Sequence, residues 1–222
     1  MMFLEIEDLL TPTQVSTLLT IAATANFVEG RISNPGNPSK DNLQLHDQAA
    51  YALSSKMMIE ALFGCGPFVD FAFPKVIAPP MVTKYEVGMK YGAHADAAFI
   101  PLANRPLRTD VSLTIFLADP SSYDGGELSV QLGTRRLAFK GKPGSVVVYP
   151  SNTLHQVMPV TRGVRIAAIS FVESDIADLN QRDLLCELNE VAALEGNTMA
   201  FENYSRLQRV QYGLRRMWSD PS

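Results

Sequence analysis

The sequence predicts a mostly β core with flanking helices, an α+β chain whose strands have a double-sheet jelly roll as one closed solution. Three observations predict it. Between residues 68 and 173, short β-branched and aromatic runs are separated by Gly, Pro, Asn and Asp at regular spacing, the texture of a sandwich or barrel. Before and after that stretch, apolar residues recur at helical spacing. The chain has 222 residues, which suits one domain with appendages. Its texture divides it into an N-terminal helical support region (1–67), a β core (68–173) and a small C-terminal helical module (174–222).

The elements follow in order. Residues 2–10 read as a short strand leading into a helix. Thr11-Pro12-Thr13-Gln14 starts that helix: Thr11 caps, Pro12 fits the first helical position and Gln14 closes a capping box. Val15, Leu18, Leu19 and Ala22 form its apolar face, and it ends near Asn26. Residues 30–47 are rich in Asn, Pro, Gly and Ser without a period, and read as a long loop. A helix over 48–63 follows, stopped by Gly64-Cys65-Gly66-Pro67. Strands are expected at 73–77, 82–87, 92–96, 111–117, 127–130, 134–139, 145–149, 155–159 and 164–172, with turns at Tyr123-Asp124-Gly125-Gly126 and Lys142-Pro143-Gly144. Ser174 is the expected cap of a helix through Leu194 closed by Gly196, and a second helix runs from about Thr198 to Trp218.

Composition narrows the function classes. Lys plus Arg number 19 and Asp plus Glu 23, so the net charge of 19 − 23 = −4 argues against non-specific nucleic-acid binding. No apolar run approaches the length of a membrane-spanning helix, and the N-terminus lacks the pattern of a secretory signal. Cys65 and Cys186 are too few for a disulfide framework or a structural zinc site and read as reduced thiols. A cytoplasmic protein is expected.

Chemistry concentrates in Tyr91-Gly92-Ala93-His94-Ala95-Asp96. Residues i and i+2 of an extended strand share a face, so His94 and Asp96 can grip one metal ion. The chain has three histidines, and His155 is the expected third ligand. Two imidazoles and one carboxylate leave coordination positions open, the arrangement of non-haem Fe(II) oxygenases. Arg165 lies in the apolar run Val164-Arg165-Ile166-Ala167-Ala168-Ile169, where a guanidinium is costly unless paired. It would hold the far carboxylate of a dicarboxylate cosubstrate, or make a structural salt bridge with an internal Asp or Glu. Tyr85 in the preceding strand would donate its hydroxyl to a bound carboxylate or be a core tyrosine with a satisfied hydroxyl, and Ser112 and Thr114 would line the same pocket. Arg162, in a turn, is assigned to solvent, and Asn104, Arg105 and Arg108 either meet an anionic or peptide substrate or are simply solvated. His46 is assigned to the surface or a helix start, and stands as the rival to His155.

The ordered set Lys84-Tyr85, Tyr91-Gly92-x-His94-x-Asp96, Arg108-Thr109-Asp110-x-Ser112, Asp119-Pro120-x2-Tyr123-Asp124-Gly125-Gly126-Glu127-Leu128, Tyr149-Pro150-Ser151-x3-His155 and Pro159-Val160-Thr161-Arg162-Gly163-x-Arg165 resembles the bacterial PKHD-type hydroxylases. Lys40-x-Asn42-x-Gln44 is similar to that family's pattern too, and the helical tail to its C-terminal module. The resemblance implies a double-stranded β-helix (jelly roll, cupin-like) related to prolyl hydroxylases. It implies Fe(II) on His94, Asp96 and His155, 2-oxoglutarate on Arg165, and L-ascorbate as the reductant that keeps iron ferrous. The implied reaction couples decarboxylation of 2-oxoglutarate, with dioxygen, to succinate, CO2 and hydroxylation of a small-molecule or peptide substrate. A prolyl or peptidyl target rests on fold analogy alone. Two other readings stand beside it: a non-catalytic iron/2-oxoglutarate sensor, and a jelly-roll binding module with a structural His-Asp pair. Asp96 argues against a halogenase, which needs the carboxylate position vacant. A homo-oligomer is compatible with all of these.

Overall fold

The structure, a computed structural model, describes residues 3–219; Met2, where the first strand is expected to begin, lies outside them. β1 (Leu4–Ile6), α1 (Pro12–Thr24) and β2 (Phe27–Glu29) lead into one turn of 3-10 helix (Gly30–Ser33). β3 (Lys40–Asp41), β4 (Leu43–Leu45), α2 (Gln48–Phe63) and α3 (Gly66–Ala72) follow. Next come β5 (Pro74–Ile77), β6 (Met81–Tyr85), β7 (Lys90–His94), β8 (Phe99–Pro101), β9 (Pro106–Arg108), β10 (Val111–Phe116) and β11 (Asp124–Gly125). Then come β12 (Leu128–Leu132), β13 (Arg135–Phe139), β14 (Val146–Pro150), β15 (His155–Val157), β16 (Val160–Arg162), β17 (Arg165–Ser174), α4 (Leu179–Glu195) and α5 (Phe201–Trp218).

Two antiparallel sheets form the jelly roll. The major sheet has eight strands in the order β1-β14-β10-β17-β6-β4-β2, with β5 also on β17; the minor sheet has five, in the order β13-β12-β15-β7-β3. Period-two alternation decides what each face of the major sheet does. Val111, Leu113 and Ile115 of β10, with Ala168 and Val172 of β17, join Leu18, Met58, Leu62 and Phe68 of the helices in one core. The alternate residues Ser112 and Thr114, with Arg165 and Ile169, turn to the opposite face and line a cavity.

Several expectations change here. The stretch 30–47 is not an unstructured loop: β4 joins the major sheet and β3 the minor one. Strands of two and three residues are too short to show a period, and theirs is inverted, with polar Lys40, Asn42 and Gln44 buried. Gly64-Cys65-Gly66-Pro67 ends one helix and starts another, because Pro67 suits the first turn of α3, whose Phe68 and Phe71 are buried. Residues 97–109 hold the hairpin β8–β9. Ser174 does not cap α4. It ends β17, and Asp178 caps instead, accepting from Gln181 N at 2.9 Å. α5 starts at Phe201, three residues after the expected Thr198. The Thr11 capping box and the helix over Gln48–Phe63 stand as expected. In the C-terminal helices, Leu185, Leu214 and Trp218 pack with Phe73 and Ile176.

Candidate metal centre

In the minor sheet, β7 pairs with β15 so that His94 lies directly across from His155, with ring centroids 4.3 Å apart. Each imidazole is oriented by its own backbone. His94 Nδ1 lies 2.7 Å from Gly92 O, and His155 Nδ1 lies 3.0 Å from Thr153 O. A carbonyl only accepts, so both Nδ1 atoms carry the proton and both Nε2 lone pairs are left for a ligand. The Nε2 atoms face Asp96, His94 Nε2 at 3.8 Å from Oδ1 and His155 Nε2 at 3.8 Å from Oδ2. That separation is too long for a hydrogen bond. It suits donors that share one cation through bonds of about 2 Å. One donor atom from each of the three residues lies within 4.8 Å of the other two.

Asp96 reaches this position differently from the expected strand 92–96. β7 stops at His94, and the backbone N–H of Asp96 donates to Ser151 O at 3.2 Å. Ser112 Oγ donates to Asp96 Oδ2 at 2.6 Å and lies 2.7 Å from Ser151 Oγ. Since Ser112 has one proton, Ser151 is the donor to Ser112. Asp96 is thus held at its carboxylate from β10 and at its backbone from the turn after β14. Tyr91 stacks on His94 with centroids 3.7 Å apart, and its hydroxyl accepts from Asn34 Nδ2 at 3.1 Å. Burial, and then the adjacent His155, push the His94 imidazolium below its ordinary range, which favours the neutral ring that a metal needs.

Arg165 begins β17 and is 1% exposed. Its Nε has no hydrogen-bond partner, and no carboxylate pairs with it among the described residues. Its guanidinium sits over the Tyr85 ring, 5.0 Å from the centroid, and β6 pairs Tyr85 directly with it. Gly126 makes room for the arginine stem: a Cβ there would lie 3.1 Å from Arg165 Cδ, and its φ of +68° also favours glycine. A buried, unpaired guanidinium costs several kcal/mol unless an anion joins it. Burial pushes the Tyr85 phenol up to about 12, so its hydroxyl stays protonated and able to donate.

His94, Asp96, His155, Arg165, Tyr85, Ser112 and Thr114 all line one cavity of about 520 Å³. His46 is exposed beside Asp47, the cap of α2, and takes no part in the His-Asp-His cluster. Arg162 is exposed and pairs with Asp124 at 2.6 Å. Arg105 and Arg108 have protein partners: Arg105 makes two bonds to the Glu173 carboxylate, at 2.7 and 2.8 Å, and Arg108 bonds Asp110 at 2.9 Å.

Lys40, Asn42 and Tyr149 are among the cavity residues that sequence pattern does not single out. Lys40 and Asn42 sit in the stretch taken for a loop, where only their motif likeness stood out. Tyr149 is buried and its ring meets His155 edge-on at 5.1 Å. A phenol in the otherwise apolar strand β14 was the available signal. Burial, and then the Asp96 charge, raise its pKa well above the ordinary value.

Comparison with known proteins agrees with this geometry. Residues 80–173 match the 2OG-Fe(II) oxygenase superfamily. The chain is 57% identical over 211 residues to a PKHD-type hydroxylase of Sphingopyxis alaskensis, covering 95% of this chain and 97% of that one. It is 37% identical to a PKHD-type hydroxylase of Xanthomonas euvesicatoria, over 99% of this chain and 100% of that one. Among solved structures, a Pseudomonas putida prolyl-4-hydroxylase superposes with a TM-score of 0.58 at 18% identity, covering 77% of this chain and 92% of that one, a likeness of fold.

Proposed function

The chain belongs to the PKHD-type hydroxylases and is a 2-oxoglutarate-dependent dioxygenase, and on that premise we propose which residues do the work. His94, Asp96 and His155 would hold Fe(II), and Arg165, helped by Tyr85, would bind the distal carboxylate of 2-oxoglutarate. The observation that carries this reading is the unpartnered, buried Nε of Arg165 in the same cavity as the His-Asp-His cluster. The donor set also fits, being two neutral imidazoles and one carboxylate with open positions left over. Fe(II), when bound, supplies those positions and the redox chemistry that couples decarboxylation to hydroxylation. The chain's own residues bind and orient. Gly92 O and Thr153 O hold the histidine tautomers, Ser112 holds Asp96, and Tyr149 and Leu128 close the cavity wall.

Other parts of the reading are of the same kind. Residues 1–67 would support the core, 68–173 would carry the chemistry, and 174–222 would brace it. Ascorbate would keep the iron reduced, and the setting would be cytoplasmic. No helix among the described residues is long and apolar enough to cross a membrane. A sensor would share the cluster and Arg165, so turnover must be measured.

The test is anaerobic loading with Fe(II) and 2-oxoglutarate, followed by oxygen. A visible charge-transfer band, and then succinate, is expected. A band that survives in His94→Ala would sink the ligand assignment. Loss of the band in His155→Ala, and its retention in His46→Ala, would settle the third ligand.

A further inference from the structure

We propose that Lys40 is a specificity-determining residue that holds a carboxylate of the primary substrate, on the sheet opposite the one that carries Arg165. This rests on the reading above, in which Arg165 is taken by 2-oxoglutarate. Lys40 lies in β3, paired with Tyr91 of β7, and is 4% exposed. It lines the cavity above the His-Asp-His cluster. Its ammonium has one hydrogen-bond partner, Ser33 Oγ at 2.6 Å, and stands over the Tyr91 ring, 5.4 Å from the centroid.

Ser33 has little more to give. Its oxygen also accepts from Gln44 Nε2 at 2.9 Å, and its own proton goes to Gly30 O at 3.2 Å. Two of the three Lys40 protons therefore remain unsatisfied by protein, and no carboxylate pairs with them among the described residues. Asp96 attracts the ammonium from a distance, but its charge is committed to the metal position. Burial draws the Lys40 pKa down to about 8, the mark of a charge with too little compensation; at neutral pH the amine is still mostly protonated.

Other cations do not fill this role. Arg105 and Arg108 in the hairpin β8–β9 are bonded to Glu173 and Asp110. The ammonium meets an anion as a point charge through its two free N–H groups; its single positive charge is balanced by one carboxylate, whereas a phosphate dianion would bring excess negative charge near Asp96. Ile32, Phe99, Ile100 and Leu102 line the same cavity. The substrate class is therefore an organic acid with an apolar body, whether a small molecule or the free end of a peptide.

The experiment uses the full chain loaded anaerobically with Fe(II) and saturating 2-oxoglutarate, so that no added acid can take the Arg165 position. Calorimetry then compares paired probes: N-acetyl-leucine and N-acetyl-proline against their primary amides, and a short proline peptide with a free against an amidated C-terminus. At least one acid should bind about tenfold or more tighter than its amide, the scale of one charge-assisted hydrogen bond. The small acids and the peptide separate the two sources. Lys40→Met should erase the preference and leave the affinity for 2-oxoglutarate and the visible band unchanged. Equal binding of every acid and amide to the wild-type protein overturns the proposal without any variant. So does a preference that survives Lys40→Met, or a loss of 2-oxoglutarate affinity in that variant. Absence of the band in the wild-type protein overturns the underlying reading and this proposal together.

Discussion

The two sheets face the same cavity and are held in different ways. In the major sheet every residue of β10 and β14 is buried, and α1, α2 and α3 seal its outer face. Arg165 and Tyr85 stand on that wall. In the minor sheet β13 is exposed along most of its length and no residue of β7 is fully buried. There His94 and His155 depend on single carbonyl bonds and on ring stacking for their orientation. Packing positions one end of the site, and directed polar contacts position the other. A stiff wall can hold an unpaired guanidinium in place, because close packing resists the collapse that would otherwise relieve it.

The sharpest way to break this comparison is one substitution on each wall. His94→Ala or His155→Ala on the minor side should abolish the Fe(II)/2-oxoglutarate band while the metal-free protein melts within a few degrees of wild type. Ile115→Ala on the major side should do the reverse. It opens a core cavity at a cost of about 2–5 kcal/mol, lowering the melting temperature while any folded protein still forms the band. Calorimetric melting and anaerobic absorption, run on the same samples, check both. If the histidine variants unfolded and Ile115→Ala did not, the contrast between the walls would be wrong.

Arg165→Met tests the packed wall from within. Losing a two-point charged hydrogen bond should weaken 2-oxoglutarate by about a hundredfold or more, read by titration of the band. The metal-free variant should be no less stable than wild type, because methionine removes a buried charge that lacks a partner. A marked fall in its melting temperature would mean that Arg165 is chiefly a structural residue.

Much of this site was legible in the sequence, and the reason is chemical scarcity. Three histidines leave few ways to build a cluster, and an arginine inside an apolar strand demands an explanation. Strand alternation then placed Arg165, Ser112 and Thr114 on one face. What stayed hidden came from contacts between distant segments. Asp96 is fixed by Ser112 and Ser151, not by the pleat that first suggested it. β3 and β4 exist because β7 and β6 offer them edges, and neither is long enough to announce itself. Local pattern therefore assigns Lys40 to a loop, although its burial matters most for what the cavity accepts. Asp178 displaced Ser174 as a cap because β17 extends through Ser174, where it pairs with β5, a gain the local pattern cannot show.

The smallest expected effect concerns the hairpin β8–β9, which is tied to the major wall through Arg105. Glu173 ends up buried near the close of β17, and Arg105 first of all holds its carboxyl below the ordinary range. A depressed folded-state pKa contributes stability that is present above the unfolded value and lost as pH falls through the folded one. Arg105 is 51% exposed, so solvent screening limits the pair to about 1 kcal/mol. Arg105→Met should lower the melting temperature slightly at neutral pH, and by less in high salt. The gap to wild type should close as the pH drops below the usual glutamate range, where Glu173 protonates in both proteins. Arg108 still offers its backbone N–H to Glu173 at 3.2 Å, so the variant keeps part of the anchor. A gap that persisted unchanged in acid would assign the effect to packing of the arginine stem, and the hairpin would then be held as the major sheet is, by burial.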